Sequence, residues 1–507
     1  MKINFTDRIS WLEGSLLQKT CYQDVGVNDL APWRRQLRSW ILRTILGSGP
    51  NVELHILESV DALSSYRSKL EHLKNIEQIS GYYEGPVFSD YPRFYFFGND
   101  FQLAKDENKL HSWGYALPFE SRVDAIDKAL WETAERQATY YSLTTNKVTY
   151  PTITLGDASW LYEKVPRFSS QQTKVSSELL VSATQLKVVE GFWANCLTGG
   201  ERRFFPISCF YWGRSLLEKS TIVHDITTSG SGGGATKEQA ILSGLYELIE
   251  RDHFLLYWLS GISPTRIDIS DEVGEIFNHV SEAKRRYNLE VYFFQLQYDL
   301  PVSTVVCLII DPVLKRVALG GKASPSGLEN LRSAYLEALA TLSVLRNRDK
   351  RIPESFLSSL IKKTEWGTVT VDKSTRVNLY CSDLGLETIR NLWLKPSTAT
   401  VSAEDFINKS ISFRDHRSEL RFMAEAFRNL VKDKGDGYHI YIHHFESDLT
   451  KFFESYVSRA FVPAFLKLHL NERFVTPISD RLWSFAREKG RKVDSEVDLN
   501  PLPHPFP

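Results

Sequence analysis

The sequence has few cysteines, and their spacing excludes two common kinds of small scaffold. Its five cysteines are widely separated and include no C-x-x-C pair. This pattern excludes a disulfide framework and a zinc ribbon, and it favours a reducing compartment. The cysteines are Cys21, Cys196, Cys209, Cys307 and Cys381.

Long apolar runs are also missing. The stretch from Val305 to Ile310 is among the longest, and it is too short to span a bilayer. The first residues, Met1 to Asp7, reach charged side chains too early for a signal peptide. The sequence therefore predicts a cytoplasmic, unprocessed protein with no membrane partner.

Neither sign of charge is in excess, since 61 Lys and Arg stand against 62 Asp and Glu, a net charge of -1. Binding to a phosphate backbone requires a clustered excess of basic residues, so nucleic acid is excluded as the main partner. A length of 507 residues corresponds to about three domains, or to one large core with additions.

Residues 1–80 are predicted to form a separate, mostly helical region, because Trp33, Leu37 and Ile41 recur at helical spacing. Residues 81–507 mix helices and strands without a regular βαβ alternation, so the predicted fold class is mixed α+β. The predicted strands are Arg93 to Phe97, Lys187 to Trp193 and Thr304 to Asp311. The predicted helices are Arg122 to Tyr141, Thr236 to Trp258, Leu328 to Arg346, and those near residues 403–433 and 449–466.

Two of these helices share a sequence pattern. The segments DAIDKALWETAER (124–136) and QAILSGLYELIER (239–251) align over Ala-Ile, a Leu, an aromatic residue and Glu-x-x-Glu-Arg, 115 residues apart. A single block of this kind is typical of a solvated helix face. Because it occurs twice beside apolar positions, we favour two related halves that meet at a shared site.

Each block places two carboxylates on one face of its helix, where they repel each other unless a cation binds. We interpret them as Mg²⁺ ligands that bridge to phosphates, with the following arginines on phosphate oxygens. The predicted metal ligands are Glu132, Glu135, Glu247 and Glu250, and the arginines are Arg136 and Arg251. A di-iron carboxylate site competes, since Glu250 and His253 form Glu-x-x-His, but Ala138 replaces the second histidine.

A glycine-rich segment, Ser229 to Gly234, precedes the second of these helices. Thr236 and Gln239 fit a capping box, and glycine-rich backbone at a helix N-terminus binds anions. The segment matches neither a P-loop nor a dinucleotide fingerprint. Its alternative interpretation is a flexible turn.

The third helix carries Glu337 after a segment that runs from Gly320 to Ser326. Its pattern fits a site residue and a helix-surface residue equally. The proline-rich end, PLPHPFP (501–507), is extended and pre-ordered, so it can dock and deliver His504 or the terminal carboxylate. The alternative for this end is a disordered tail.

Four stretches together resemble YcaO-domain proteins, and most of all the cyclodehydratases of azoline-forming peptide pathways. In chain order they are GYALPFESRVDAIDKALWETAER, TSGSGGGATKEQAILSGLYELIERDHF, LGGKASPSGLENLRSAYLEALATL and NPLPHPFP. The resemblance runs from about residue 85 to the end of the chain. The predicted domains are therefore an N-terminal region, 1–80, and a YcaO-like catalytic domain, 81–507, ending in the proline-rich tail.

The resemblance implies a YcaO-type fold with two pseudo-repeated helix and sheet halves. It also implies an enzyme that uses ATP and Mg²⁺ to phosphorylate backbone amides of a ribosomally made precursor peptide, forming thiazoline or oxazoline rings from Cys, Ser or Thr. The implied metal ligands are Glu132, Glu135, Glu247 and Glu250. The nucleotide-binding positions are Lys128, Arg136, Ser229, Gln239, Arg251, Arg332 and Glu337, and the catalytic tail positions are Pro503, Pro505 and Pro507.

Several positions depart from the family pattern. Before and at the start of the second helix, Ala235 and Gln239 stand where Asn and Glu are usual. In the first helix, Lys128 or Ala129 stands where Ser is usual. In the third helix, Ser333 stands where Arg is usual, with Arg332 one place off, and Ala340 stands where Gln is usual. Lys128 and Lys322 are candidates to compensate. The two intact Glu-x-x-Glu-Arg blocks and the intact tail favour an active enzyme.

The implied partners are a precursor peptide with Cys, Ser or Thr residues and a separate E1-like or leader-peptide-binding protein. An FMN dehydrogenase and a homodimer are further expectations. Two alternative functions stay open, namely thioamide or amidine formation by the same activation chemistry and a degenerate, non-catalytic scaffold. The departures from the family pattern motivate the scaffold alternative.

Overall fold

The computed structural model describes residues 79–86, 92, 94–101, 110–120, 122–140, 151–154, 164, 188–212, 227–346, 373–395, 398–447, 450–451, 454–469, 479–493, 495 and 498–506. Backbone contacts divide the chain into two compact units, Met1–Thr133 and Ala134–Pro507. The predicted helical region over residues 1–80 lies outside the described residues, apart from its last two.

The described part of the first unit is an antiparallel sheet of three strands, in the order β1-β2-β3. The strands are β1 (Ile79–Pro86), β2 (Tyr95–Phe101) and β3 (Leu110–Ala116). Helix α1 (Arg122–Thr139) begins in this unit and confirms the predicted helix to within two residues. The hydroxyls of Ser112 on β3 and Thr133 on α1 are hydrogen-bonded and buried, so strand and helix pack together.

The second unit contains the remaining described elements. Its strands are β4 (Thr152–Thr154), β5 (Val188–Cys196), β6 (Arg203–Pro206), β7 (Ser231–Gly234), β8 (Thr265–Asp268), β9 (Glu290–Leu296), β10 (Ser303–Asp311), β11 (Arg316–Ser324), β12 (Thr400–Ser402), β13 (Tyr441–Phe445) and β14 (Tyr456–Phe461). Its helices are α2 (Lys237–Ser260), α3 (Glu275–Tyr287), α4 (Gly327–Arg346), α5 (Lys373–Leu379), α6 (Asp383–Trp393), α7 (Ala403–Ile407), α8 (His416–Lys434) and α9 (Asp480–Glu488).

These strands form two sheets. One has the order β11-β10-β9-β8-β12 and is antiparallel except that β12 runs parallel to β8. The other has the order β4-β5-β13-β14-β7, with β6 paired to β5. The mixed α+β prediction is confirmed, and both long strands expected in this unit, at β5 and β10, are present.

Helix α2 runs through the core of the second unit. Its first half, from Ile241 to Ile249, packs in a cluster with β14 and α8, and its second half, from Phe254 to Leu259, packs in another with β9, β10 and β11. Because apolar residues surround it, α2 is a buried core helix rather than an amphipathic surface helix. None of the helices that the structure describes combines the length and the apolar character that a transmembrane span requires.

The glycine-rich segment before α2 is a strand, β7, which corrects the expectation of a loop or flexible turn. Glycine is disfavoured in strands, but here it permits close packing. A side chain at Gly232 would collide with the backbone of Ala240 and Gly244 on α2. Gly320 on β11 has the same relation to the backbone of α4, so both strands lie unusually close to their helices.

The predicted helix at 449–466 is wrong, because this segment contains strand β14. Tyr456, Val457, Ala460 and Phe461 have a spacing that imitates a helical face. In the structure β14 is a central strand between β13 and β7, and all of its residues after Tyr456 are buried. A strand buried on both faces loses the alternation that identifies strands in a sequence.

Candidate active site

The start of α2 is fixed by its own residues. Thr236 is the N-cap, and its side chain accepts a hydrogen bond from the Gln239 amide at 3.1 Å. The Gln239 side-chain oxygen in turn accepts one from the Ala235 amide at 2.9 Å. Thr236 therefore caps the helix as predicted, and Gln239 takes part in this cap.

Three helices hold a glutamate in the same way, against a backbone amide of the segment that precedes the helix. The Gly230 N–H donates to Glu247 on α2 at 2.7 Å, and the Gly321 N–H donates to Glu337 on α4 at 2.6 Å. Within the first unit, the Trp113 N–H donates to Glu132 on α1 at 2.5 Å. Charge-assisted bonds of this type fix the carboxylate position.

All three helices were predicted, but the Glu-x-x-Glu-Arg block marks only two of them. The third lacks the Glu-x-x-Glu-Arg block, because Ala340 and Thr341 follow Glu337 at the positions where Glu and Arg stand in the other two. The available signal for relating α4 to α2 was the glycine-containing strand that precedes each of them, β11 and β7. The hydrogen bond from Gly321 gives Glu337 the same anchoring as Glu247, and its place in the site stays a prediction.

Arg251 lies between carboxylates of α2 and is incompletely bonded. Its Nη2 is 3.6 Å from Glu247 Oε1, and its Nε is 3.5 Å from Glu250 Oε1. Within the part of the chain that the structure describes, the buried Nε and Nη1 of Arg251 have no hydrogen-bond partner. Two buried guanidinium donors are thus available to an anionic group, since unsatisfied buried donors are costly.

Burial disfavours the charged form of the carboxylates around Arg251. Burial raises the pKa of Glu250 to about 8, with Arg251 opposing the rise and the negative charge of Glu337 adding to it. Burial raises the pKa of Glu247 and of Glu337 as well, again against Arg251. Lys322 of β11 lowers the pKa of all three carboxyls, which places its charge near the cluster.

The proline-rich tail is docked rather than disordered. Trp258 Nε1 donates to the Leu502 carbonyl at 3.0 Å, and the Tyr380 hydroxyl donates to the Pro503 carbonyl at 2.5 Å. Pro503 and Pro505 are buried, and Pro507 lies outside the described residues. The tail therefore packs against the second half of α2.

His504 anchors this tail and is not presented to a substrate, which corrects the first of the two groups expected at its tip. It is buried, its Nε2 is 2.6 Å from the His469 carbonyl, and it lies 3.0 Å from Arg376 Nη1. The residue that reaches the site is Phe506, whose ring centre is 4.4 Å from Cζ of Arg251. A cation–π contact thus joins the tail to the guanidinium with unmatched donors.

Arg459 on β14 is a site residue that the sequence patterns did not reveal. It is buried, and its guanidinium donates to the carbonyls of Ser229, Thr227 and Phe210 at 3.1, 2.6 and 2.9 Å. Burial lowers the pKa of Arg459 to about 10, while the charges of Glu247 and Glu135 raise it. Glu135 and Glu247, one from each repeated helix, therefore act on the same buried cation.

The other predicted residues lie as follows. Lys128 is exposed, Arg136 is partly buried, and Ser229 is buried beside Thr227. Arg332 forms an ion pair with Glu329 at 2.7 Å on α4. His253, the residue behind the di-iron alternative, is buried with Nδ1 3.1 Å from the Thr304 hydroxyl, which ties it to β10.

The donor set fits a magnesium–nucleotide complex better than a closed metal cage. Among the described residues, no group of three or more His, Cys, Asp or Glu side chains is arranged to hold a metal ion. Mg²⁺ needs only one or two carboxylates when phosphates and waters complete its shell. Buried carboxylates with raised pKa values and an arginine with unmatched donors suit this partial coordination. Glu132 lies in the first unit, whereas Glu135, Glu247 and Glu250 lie in the second. The convergence of these four carboxylates on one site therefore stays a prediction.

Comparison with solved structures identifies the same fold in several proteins. A heterocyclase in complex with substrate and cofactor matches with a TM-score of 0.63 at 16% identity, over 84% of this chain and 55% of the other. YcaO from Methanopyrus kandleri, bound with AMPPCP and Mg²⁺, matches with a TM-score of 0.55 at 16% identity, over 83% and 94%. The E. coli microcin synthetase McbBCD complex with pro-MccB17 bound gives 0.52 at 16% identity, over 84% and 97%.

At the sequence level, an uncharacterized protein of Methanothermobacter thermautotrophicus is 30% identical over 145 residues, 28% of this chain and 38% of the relative. The chain thus matches only part of that relative, and about half the length of the heterocyclase. The family model for YcaO cyclodehydratase, described as ATP- and Mg²⁺-binding, matches residues 120–466. At the level of the family, this description confirms ATP and Mg²⁺ as the expected ligands. The duplicated helices, the anchored glutamates and this match lead to one conclusion, that the chain belongs to the YcaO family.

Proposed function

We propose that this protein is an ATP-dependent cyclodehydratase that activates backbone amides of a ribosomally made precursor peptide. The observation that carries this proposal is the cluster of Glu247, Glu250 and Glu337 around Arg251, where burial raises the pKa of each carboxyl and two guanidinium donors are unmatched. The proposed products are thiazoline or oxazoline rings, made from Cys, Ser or Thr of the peptide.

The proposed reaction begins when a peptide side chain attacks the preceding carbonyl carbon. The ring oxyanion formed by this attack then takes the γ-phosphoryl group of ATP, which releases ADP, and inorganic phosphate leaves as the ring nitrogen loses its proton and the C=N bond forms. Bound Mg²⁺ supplies charge neutralisation for this transfer. One or two of Glu247, Glu250 and Glu337 would hold it, with phosphates and waters completing its shell.

The protein side chains have separate tasks in this scheme. Arg251 would donate its free Nε and Nη1 hydrogens to phosphate oxygens, which matches the preference of guanidinium for oxyanions. Lys322 would add a second positive charge. Phe506 and the buried tail would hold Arg251 in place and exclude water from it, and Pro503, Pro505 and Pro507 remain the proposed catalytic segment.

The proposed partners are a precursor peptide and a separate E1-like or leader-peptide-binding protein, with an FMN dehydrogenase acting after ring formation. Support comes from the similar fold of the microcin synthetase complex with pro-MccB17 bound. A homodimer and a cytoplasmic location are part of the same proposal.

The test is incubation of the protein with its precursor peptide, the recognition partner and Mg-ATP, followed by mass spectrometry. We expect the peptide to lose one water per ring, with one phosphate released for each water lost. Glu250→Gln should abolish both signals. Glu425→Gln, on the exposed face of α8 with 55% of its side chain accessible, is the matched control and should retain both. An unchanged peptide mass without phosphate release would refute the proposal.

A non-catalytic scaffold is the second candidate, and α4 favours it. Ala340 and Thr341 stand there at the positions that Glu and Arg occupy in α1 and α2, and Arg332 is paired with Glu329. A scaffold would stabilise a synthetase complex without hydrolysing ATP. Phosphate release from the purified protein, lost in Glu250→Gln, would exclude it. Thioamide or amidine formation would use the same activation and is distinguished by the mass change of the peptide.

A further inference from the structure

A second group of reactive side chains lies at the end of β5. Cys196, the last residue of this strand, pairs with Tyr441 of β13, which pairs in turn with Phe461 of β14. The neighbouring backbone of β14 is bonded to Gly230, beside the carboxylate cluster. Three strand spacings of about 4.8 Å therefore place Cys196 roughly 14 Å from Gly230, at a site of its own.

The Cys196 sulfur has three polar neighbours. The Gly200 N–H donates to Sγ at 3.2 Å, the Thr198 hydroxyl lies at 3.3 Å, and Nδ1 of His439 lies at 3.5 Å. Donors aimed at a sulfur stabilise the thiolate, which is the nucleophilic form of cysteine. The Cys196 side chain is partly exposed, so small molecules can approach it.

His439 is placed to take the proton of this thiol. The Ile440 N–H donates to the Thr198 hydroxyl at 3.3 Å, so the hydroxyl's own hydrogen is directed to Nδ1 of His439, 2.8 Å away. The thiol proton can reach Nδ1 through this hydroxyl, whose oxygen lies 3.3 Å from Sγ. Nε2 of His439 lies 3.9 Å from Oδ1 of Asp436, which would pair with the ring once it is protonated. Burial and Arg203 lower the pKa of His439 while Asp436 raises it, so the ring is neutral and able to act as a base near pH 7.

Glycine at position 200 leaves room for the Cys196 sulfur and the His439 ring to lie side by side. A Cβ atom at Gly200 would stand 3.1 Å from the Cys196 sulfur and 2.9 Å from Cε1 of His439. Glycine thus keeps the sulfur and the imidazole together without strain. The other described cysteines, Cys209, Cys307 and Cys381, are buried, and burial raises the pKa of Cys209 to about 12.

We propose that Cys196 is a nucleophilic thiol, with His439 as its base, that undergoes exchange with small disulfides. The thiol proton passes to Nδ1 of His439, and Sγ attacks one sulfur of the disulfide. A new S–S bond forms to that sulfur while the original S–S bond breaks. The other half leaves as a thiolate and takes the proton from His439. The exchange is independent of the proposed cyclodehydratase activity.

The test uses the native full-length chain with excess glutathione disulfide, an acid quench, and mass spectrometry of each cysteine-containing peptide. We expect Cys196 to gain glutathione at least about tenfold faster than a synthetic peptide of residues 192–200, because a free cysteine lacks the base and the donors. Cys209, Cys307 and Cys381 serve as internal controls and should stay unmodified over the same time.

Two variants separate activation from simple exposure. His439→Gln should slow the exchange about tenfold or more, since a positioned base is removed. Asp436→Asn should slow it about two- to threefold, and because this side chain is 68% exposed the substitution leaves the fold intact. The proposal is overturned if Cys196 reacts no faster than the peptide, or if neither variant slows it.

Discussion

Two consecutive residues of helix α2 belong to two different clusters of acidic side chains around an arginine. Arg251 belongs to the carboxylate cluster, and Asp252 belongs to an ion network with Arg481 of α9. Arg481 donates to Asp252 at 2.9 Å and to both oxygens of Asp299 at 2.6 and 2.8 Å. The second oxygen of Asp252 accepts from the Leu466 amide at 2.8 Å.

The clusters differ in whether their hydrogen bonds are complete. Burial would raise the pKa of Asp299, but Arg481 and Lys434 hold it at about 2. Burial raises the pKa of Asp252, as it does that of Glu250, so a raised pKa alone does not distinguish the clusters. The two clusters are distinguished by Arg251, since two of its buried donors have no hydrogen-bond partner among the described residues. A complete network stabilises the fold, whereas an incomplete one is prepared for a ligand.

The largest expected effect is on stability. Arg481→Met should lower the free energy of unfolding by about 3–5 kcal/mol, because it leaves Asp252 buried without its ion-pair partner and Asp299 with Lys434 alone. Chemical denaturation with circular dichroism measures this. Arg251→Met is the matched substitution in the other cluster, and its loss should be smaller by at least about 2 kcal/mol. Equal losses would remove the distinction between the two clusters.

The second-largest expected effect is on the rate of ATP turnover. Arg251→Met should reduce peptide-dependent phosphate release about 10²- to 10³-fold, since it removes donors aimed at the developing charge. The assay is phosphate release at saturating Mg-ATP. Lys434→Met, which removes a partner of Asp299 in the other cluster, should leave the rate per folded molecule unchanged. A turnover that survives Arg251→Met would show that phosphate binds elsewhere.

The pH dependence of stability should have opposite sign for Glu250 and for Asp299. The pKa of Glu250 is raised in the folded state from 4.5 to about 8, so its contribution is present below pH 4.5 and is lost as pH rises to about 8. The pKa of Asp299 is lowered from 3.8 to about 2, so its contribution is present above pH 3.8 and is lost as pH falls towards 2. Urea unfolding from pH 5 to 8 checks the first sign.

Glu250→Gln should flatten the slope between pH 5 and 8, while Asp299→Asn should leave it unchanged and act only at acid pH. A slope that is the same in wild type and in Glu250→Gln would contradict the raised pKa of this carboxyl.

The smallest expected effect concerns the tail. Phe506→Leu removes the ring over Arg251 but keeps apolar volume, so Mg-ATP binding should weaken by about 0.5–1 kcal/mol, a factor of roughly two to five. Titration calorimetry measures it. Phe485→Leu, at a core position on α9, is the control and should leave binding unchanged. An effect of equal size in both variants would indicate general loosening of the core.

Local signals in the sequence predicted α1, α2 and α4, because their caps and apolar spacing act within a few residues. Strands β7 and β14 were missed for reasons that lie in tertiary packing. Gly232 favours a loop by propensity but is required by the closeness of α2, and β14 is buried on both faces. Long-range packing of this kind leaves no periodic trace in the sequence.

The same limit applies to the site. Glu247, Glu250 and Arg251 were predicted because they repeat a visible block. Arg459, Phe506 and the amides of Gly230 and Gly321 were not, since each acts through a contact with residues far away in the chain.

The most direct test of the incomplete cluster is titration calorimetry of Mg-ATP into wild type, Arg251→Met and Lys434→Met. We predict saturable binding that requires Mg²⁺, is weakened at least about 100-fold in Arg251→Met, and is unchanged in Lys434→Met. Binding of equal strength in wild type and Arg251→Met, or its absence from wild type, would contradict the account.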